Sequence, residues 1–360
     1  MHQAPLWDVF CCVIDNWGDA GVSWRLACAL AAHGQRVRLW IDDAAPLAWM
    51  APQGAAGVQV RRWAQPFDVQ ALAHEPPGGV WVQMFGCELP EEFIAARGAR
   101  EPVWFNLEYL SAEPWVERQH ALPSPVMHGA GQGLVRCFFF PGFTPATGGL
   151  LREKNLLARQ AAFDRAAWLA AAHGVAPPRE GELFASLFCY EPPALAAQLA
   201  AWQRSAQPVR LLVAAGRAAA AVHACPGCAV QHGALRLHFL PQLAQDEYDE
   251  LLWACDVNFV RGEDSLTRAL WAGQPFIWQP YPQPEDNAHH AKLDALLEWL
   301  QAPLALRRFM RVWCGAEEGT LPAMTLEEWG ACVRAARERL LAQSSLAERL
   351  LAHAVQLHAG

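Results

Sequence analysis

Twice along this chain an apolar run of strand character ends in a short acidic loop and then enters a helix-like stretch. That repeated join limits the fold more than any other feature. Residues 9–14 lead into Asp15-Asn16-Trp17-Gly18-Asp19-Ala20-Gly21, and residues 257–260 lead into Arg261-Gly262-Glu263-Asp264-Ser265. A strand that turns into a helix puts the loop at the carboxyl edge of a parallel sheet, where helix N-termini offer free N–H groups and ligands bind. Carboxylates at two such edges point to chemistry on a cation or a proton, because a loop that only cradled phosphate would gain nothing from negative side chains.

The same alternation runs through the rest of the chain. Residues 9–14, 22–33 and 37–41 read as strand, helix and strand, with Gly34 as the helix stop. Further strands are expected at 58–63, 80–85, 103–107 and 137–140, and after a break at 183–189, 209–214, 235–240, 257–260 and 276–279. The break is 141–149, where Pro141, Gly142, Pro145, Gly148 and Gly149 interrupt every periodic pattern, and the interdomain linker is expected there. Helices are expected at 192–204, 247–254 and 265–272, and the tail from Leu326 has helical spacing with no strand signal. A chain of 360 residues exceeds one ordinary core. The expected division is an N-terminal acceptor-binding Rossmann-like lobe over 1–150, a C-terminal nucleotide-sugar-binding Rossmann-like lobe over 151–335, and a helical tail over 336–360, for which packing back on the first lobe is one option.

Composition excludes several classes. With 53% hydrophobic and 18% charged residues the chain reads as folded and soluble, and no stretch approaches the roughly 20 apolar residues that span a bilayer. The first residues carry no basic leader, and Asp8 interrupts their apolar part, so they are expected to form a strand and the protein to stay in the cytoplasm. A net charge of −8 argues against general nucleic-acid binding and favours a basic partner. Most of the eleven cysteines, among them Cys11, Cys12, Cys28, Cys189 and Cys255, sit in apolar runs and are expected to be reduced. Cys225-Pro226-Gly227-Cys228 has redox-motif spacing but no second pair to complete a zinc site. His289 and His290 are adjacent and fall on different helix faces, so no metal site is expected from them.

The 15–21 loop has only Gly18 and Gly21 and lacks the G-x-G-x-x-G spacing of a dinucleotide fingerprint. One helix start needs one cap, so with Asp15 and Asp19 side by side one carboxylate is left for another purpose. In the second loop Ser265 or Asp264 can cap and Glu263 can complement the helix dipole. The same residues also suit a ligand: helix N–H groups, the Ser265 hydroxyl and Arg261 can hold a diphosphate while Glu263 faces a sugar. Phe188 and Tyr190 end one expected strand, Phe239 ends another, and Gln242 follows it. A planar base stacks on such rings and a glutamine reads its amide edge, although each residue also fits a core role. A polar, proline-stiffened loop containing Tyr281 leads from Gln279 towards His289.

Two successive α/β halves of this kind describe the GT-B architecture of nucleotide-sugar glycosyltransferases, with two Rossmann-like lobes facing a central cleft. The combination of Asp15-Asn16-Trp17-Gly18-Asp19, Asn106-Leu107-Glu108-Tyr109-Leu110-Ser111, Phe140-Pro141-Gly142-Phe143, Arg261-Gly262-Glu263-Asp264-Ser265 and Trp278-Gln279-Pro280-Tyr281 closely resembles the bacterial protein-arginine rhamnosyltransferases that modify elongation factor P, the EarP family. The resemblance covers nearly the whole chain. It implies dTDP-β-L-rhamnose as donor, an arginine of elongation factor P as acceptor, inversion at the anomeric carbon, and neither metal nor cofactor. It further implies that Asp15 and Asp19 are the acceptor-side carboxylates with Asp19 the base, and that Glu263 is the donor-side catalytic carboxylate. Phe188, Tyr190, Phe239, Gln242, Arg261, Asp264 and Ser265 would then form the donor pocket, and Asn16, Trp17, Gly18 and Tyr281 are further candidates from the neighbouring loops. The alternatives are a glycosyltransferase with another sugar or acceptor, and a non-catalytic nucleotide-sugar sensor of the same fold.

Overall fold

The computed structural model describes residues 5–14, 17–171, 178–226, 230–283 and 287–359. The chain forms two compact units, one of Met1–Leu156 with Ala342–Gly360 and one of Leu157–Leu341.

In the first unit the sheet comprises β1 (Leu6–Cys11), β2 (Arg36–Ile41), β3 (Val58–Arg62), β4 (Val80–Met84), β5 (Val103–Leu107), β6 (Pro123–Pro125) and β7 (Val135–Phe139), in the order β3-β2-β1-β4-β5-β7-β6. All neighbours are parallel except β6 with β7. Parallel strands need crossovers, and α1 (Gly18–Ala32), α2 (Leu47–Met50), α3 (Glu91–Arg97) and α4 (Trp115–Gln119) lie within them. One face packs Trp7, Val9, Val82 and Phe105 with Trp24 and Leu30 of α1, and the other packs Phe10, Trp40, Trp81 and Trp104 with Phe93 of α3. Asp8, which interrupts the apolar first strand, is fully buried opposite Arg38 on β2. The guanidinium meets its carboxylate through two hydrogen bonds of 2.6 and 2.8 Å, and Trp40 Nε1 donates to the same carboxylate at 2.8 Å.

The second unit holds β8 (Leu183–Leu187), β9 (Val209–Val213), β10 (Gln231–His232), β11 (Leu235–Phe239), β12 (Val257–Arg261) and β13 (Phe276–Gln279), ordered β10-β11-β9-β8-β12-β13 and parallel except at β10. Its helices are α5 (Leu156–Ala161), whose first residue falls at the boundary, α6 (Arg165–Ala171), α7 (Leu195–Gln203), α8 (Arg217–Ala224), α9 (Gln245–Ala254), α10 (Gly262–Ala272), α11 (Ala288–Leu300), α12 (Leu304–Trp313) and α13 (Leu326–Leu341). Phe259 of β12 packs on Trp313, and Phe309 on Trp329, with ring centroids 4.7 and 5.3 Å apart.

The last helix, α14 (Leu346–Ala359), belongs to the first unit, where Leu346, Ala347, Leu350 and Ala354 complete the face formed by Trp7 and Phe105. Its start is a capping box, in which Glu348 accepts from the Ser345 N–H and hydroxyl while Ser345 accepts from the Glu348 N–H.

Three expectations differ from what is observed. The segment 141–149, read as the linker, is a turn inside the first unit, closed by Gly148 N–H donating to Phe140 O at 2.7 Å and held by Arg349 donating to Pro145 O at 2.7 Å. The unit boundaries fall at 156/157 and 341/342. The cysteines are not all reduced, because Cys12 and Cys87 form a disulfide with Cα atoms 5.3 Å apart. They follow β1 and β4, which are neighbours in the sheet though far apart in sequence.

Candidate active site

Each sheet reverses its winding at one place, between β1 and β4 in the first unit and between β8 and β12 in the second. Side chains at the carboxyl ends of those strands border the crevice that open α/β sheets use for ligands.

At the first reversal, Asp15 and Asn16 lie outside the described residues. Trp17 occupies the N-cap position of α1 with φ 63°, makes no side-chain capping bond, is 44% exposed and meets Trp49 edge-on at 5.7 Å. Gly18 opens the helix. Asp19 sits in the first turn, 8% exposed, and is not the cap; its Oδ2 accepts from Ile14 N–H at 3.2 Å and so ties the loop back on the end of β1. Its charge is felt locally: burial pushes the Cys11 thiol up to about 12, with Asp19 adding to the effect.

At the second reversal, Arg261 is the organising side chain. Its guanidinium carbon lies 4.4 Å from the Phe188 ring and 4.5 Å from the Tyr190 ring, and Nη1 donates to Cys189 O at 3.3 Å. Arginine stacks well on aromatic faces because its planar charge is weakly hydrated. Burial lowers its pKa from the ordinary value, yet arginine remains a cation. Phe188 and Tyr190 stand beyond the end of β8, and the Tyr190 N–H donates to Gln279 Oε1 on β13 at 2.9 Å. Tyr281 meets Tyr190 edge-on at 5.6 Å, and Tyr248 of α9 meets Phe188 at 5.5 Å.

The helix behind this cluster begins at Gly262 with φ 66°, a left-handed conformation that favours glycine. Trp278 Nε1 fixes the turn by donating to Gly262 O at 2.7 Å. The Ser265 hydroxyl accepts from Arg261 N–H at 3.1 Å and donates to Arg261 O, so it locks the strand-to-helix turn. Glu263 and Asp264 occupy the first turn of α10, and Glu263 Oε1 is 3.2 Å from Lys292 Nζ of α11. One turn on, Arg268 forms a buried two-bond pair with Asp249 of α9 at 2.7 and 2.6 Å, which anchors α10.

The structure thus gathers Phe188, Tyr190, Arg261, Ser265 and Tyr281. Phe239, beyond β9 at the end of β11, stacks on His223 at 4.5 Å, and Gln242 is exposed. Sequence reasoning missed Tyr248, Gln279 and Lys292. Gln279 stood inside a quoted motif without being given a role, whereas the other two come from helices with no local signal of function. Cys225 donates to Ala221 O, and Cys228 lies outside the described residues. A cavity of ≈ 1030 Å³ in the second unit, bordered by Leu183, Pro193, Trp202, Val209 and Met324, lies at the amino ends of β8 and β9, away from this chemistry.

Two Rossmann-like units with charged and aromatic side chains at their sheet reversals define a glycosyltransferase of the GT-B class. The family described as "Elongation-Factor P (EF-P) rhamnosyltransferase EarP" matches residues 7–355, and the chain belongs to that family. A protein-arginine rhamnosyltransferase of Pseudomonas putida is 44% identical over 330 residues, covering 85% of this chain and 86% of its own. One of Pseudomonas aeruginosa is 42% identical over 387 residues, with 98% of each chain covered. A solved structure described as the structural basis for EarP-mediated arginine glycosylation of translation elongation factor EF-P is 32% identical, with a TM-score of 0.65, covering 97% of this chain and 98% of that one. Among the described residues no helix is long and apolar enough to cross a membrane.

Proposed function

We infer that this enzyme moves L-rhamnose from dTDP-β-L-rhamnose to one arginine of elongation factor P, with inversion, in the cytoplasm. The observation that carries this reading is the family match over almost the entire chain.

The chemistry sets demands that the site residues can meet. An arginine guanidinium is a poor nucleophile because it is protonated and its charge is delocalised. Asp19, with Asp15 beside it in sequence, can bind the cation, localise it and turn one nitrogen towards the anomeric carbon. An aspartate cannot take the proton in the ground state, since the pKa gap is about nine units. The N–C bond therefore forms first, or together with proton transfer to Asp19, as positive charge builds on the attacking nitrogen. The bond from the anomeric carbon to the diphosphate oxygen breaks, and dTDP leaves with the electron pair. Arg261 and the N–H groups that open α10 provide positive charge for the diphosphate, with no step assigned to a metal. Glu263 faces the sugar, and Phe188 with Tyr190 borders the base.

The test is to mix the protein, dTDP-β-L-rhamnose and elongation factor P and to weigh the arginine-containing peptides. One added deoxyhexose on a single arginine is expected, with turnover unchanged by EDTA. No added mass would overturn the reading, and loss of turnover restored by magnesium or manganese would overturn its metal-free part.

A further inference from the structure

We propose that Glu108 is an acceptor-binding residue of the first unit, taking the guanidinium of the substrate arginine, with Asn106 as the residue that positions it. The proposal rests on the arginine-directed reading above.

The argument begins with how this chain treats buried carboxylates. Asp8, Glu182 and Asp249 are buried, and each is matched by an arginine, namely Arg38, Arg210 and Arg268. Glu108 is half-buried at the carboxyl end of β5, yet it has no cationic partner among the described residues. Among the described residues an amide holds it: Asn106 Nδ2 donates to Glu108 Oε1 at 2.7 Å. Burial raises the Glu108 pKa, against the lowering from that hydrogen bond, as expected for a carboxylate short of compensation.

The sheet face behind it carries further polar atoms without partners. Asn106 pairs in register with Gln83 of β4, and Gln83 with Phe10 of β1, so the three side chains share one sheet face. Asn106 Oδ1 and Gln83 Oε1 are both buried acceptors without a hydrogen-bond partner. The residues are only 6% and 3% exposed. Because Asn106 spends its NH₂ group on Glu108, the orientation of its amide is fixed and the bare atom is the carbonyl oxygen. Leaving buried acceptors unpaired is destabilising, so their presence calls for a physical reason. The two amide oxygens are enclosed, so the half-buried carboxylate is the part of this row that a ligand can reach, and it suits a cation with several N–H groups, such as the guanidinium of the arginine-directed reading, and not a phosphate. The row lies on the strand beside the β1–β4 reversal, at the same carboxyl edge as Asp19. Its competing occupant is a water joining these oxygens to the unpartnered indole N–H groups of Trp81 and Trp104, one step nearer the amino ends of the same strands.

The test uses the full-length enzyme, dTDP-β-L-rhamnose and intact elongation factor P, with Nα-acetyl-arginine amide as a binding probe followed by NMR. Glu108→Gln should raise the acceptor KM at least about tenfold and weaken the probe to a similar degree, with the donor Kd and Tm unmoved, and Glu108→Asp should recover part of the loss. An acceptor KM and probe affinity within twofold of wild type in folded Glu108→Gln would overturn the proposal and favour the bound water. If wild type fails to modify elongation factor P, the functional reading falls by itself. The probe then still decides for or against a guanidinium at Glu108.

Discussion

Lys292 Nζ stands 3.2 Å from Glu263 Oε1 and so joins α11 to the first turn of α10. Both side chains are about a quarter exposed, at 26% and 24%, so the pair contributes no more than about 1 kcal/mol to stability. Its value lies in direction, since the ammonium holds the carboxylate in one orientation. Lys292→Met should lower turnover about tenfold while Tm changes by only a degree or two, and Lys292→Arg should keep most of the rate. Unchanged turnover at saturating substrates in Lys292→Met would remove the lysine from the mechanism.

Arg261 lies against both Phe188 and Tyr190, so the proposed nucleotide end of the site would depend on the three side chains together. Phe188→Ala should weaken dTDP binding by about 1–3 kcal/mol, the range of base–aromatic contacts. Arg261→Lys keeps the charge but loses the planar stack, and should weaken dTDP more than it weakens thymidine. Calorimetry on both ligands reads the difference. Equal losses for the two would detach Arg261 from the phosphates.

For Asp19 the geometry separates a structural role from a chemical one. In Asp19→Asn the amide oxygen can still accept from Ile14 N–H, so Tm and donor affinity should stay near wild type. The proton acceptor is gone, and turnover should fall on the order of 10²-fold or more. A rate within a few-fold of wild type would return the base role to Asp15 or Glu263.

His120 gives the first unit a defined response to acid. Its Nδ1 accepts from Phe140 N–H at 3.1 Å, which a neutral ring can do and a protonated one cannot. Burial, with His353 and Arg349 nearby, lowers its pKa from 6.5 to about 4. Between those values the unfolded chain binds more protons than the folded one. The contribution is therefore complete above pH 6.5, declines as pH falls, and is lost below about 4. After allowance for partial exposure the loss is about 1–2 kcal/mol. Hydrogen exchange at the β7 and α14 amides should show it, and His120→Gln should flatten the profile between pH 6.5 and 4. A profile as steep as wild type would assign the response to other groups.

The strands were legible to within a few residues because fully buried parallel strands are short apolar runs, and runs such as 103–107 and 276–279 coincide with β5 and β13. The two-residue β10 and the proline-bounded β6 carry too little apolar character to show. Within the candidate site, Phe188, Tyr190 and Arg261 could be read as residues at strand ends. That Phe239 would turn to His223 depended on the position of α8, which no local pattern reveals. The pairings Asp8–Arg38, Cys12–Cys87 and Glu263–Lys292 are products of tertiary register and were beyond a reading of spacing. Glu108 stood inside a quoted motif, but that no cation among the described residues pairs with it is a property of the folded surroundings.

The return of α14 to the first unit also bears on how the molecule is made. A ribosome delivers residues 157–341, the whole of the second unit, before Leu346, Leu350 and Ala354 exist to cover the face of the first. The unit begun last can therefore close its core during synthesis, while the unit begun first waits with apolar surface open to chaperones. Order of assembly runs opposite to order of translation, and the last fourteen-residue helix acts as the closing step for a sheet laid down some two hundred residues earlier.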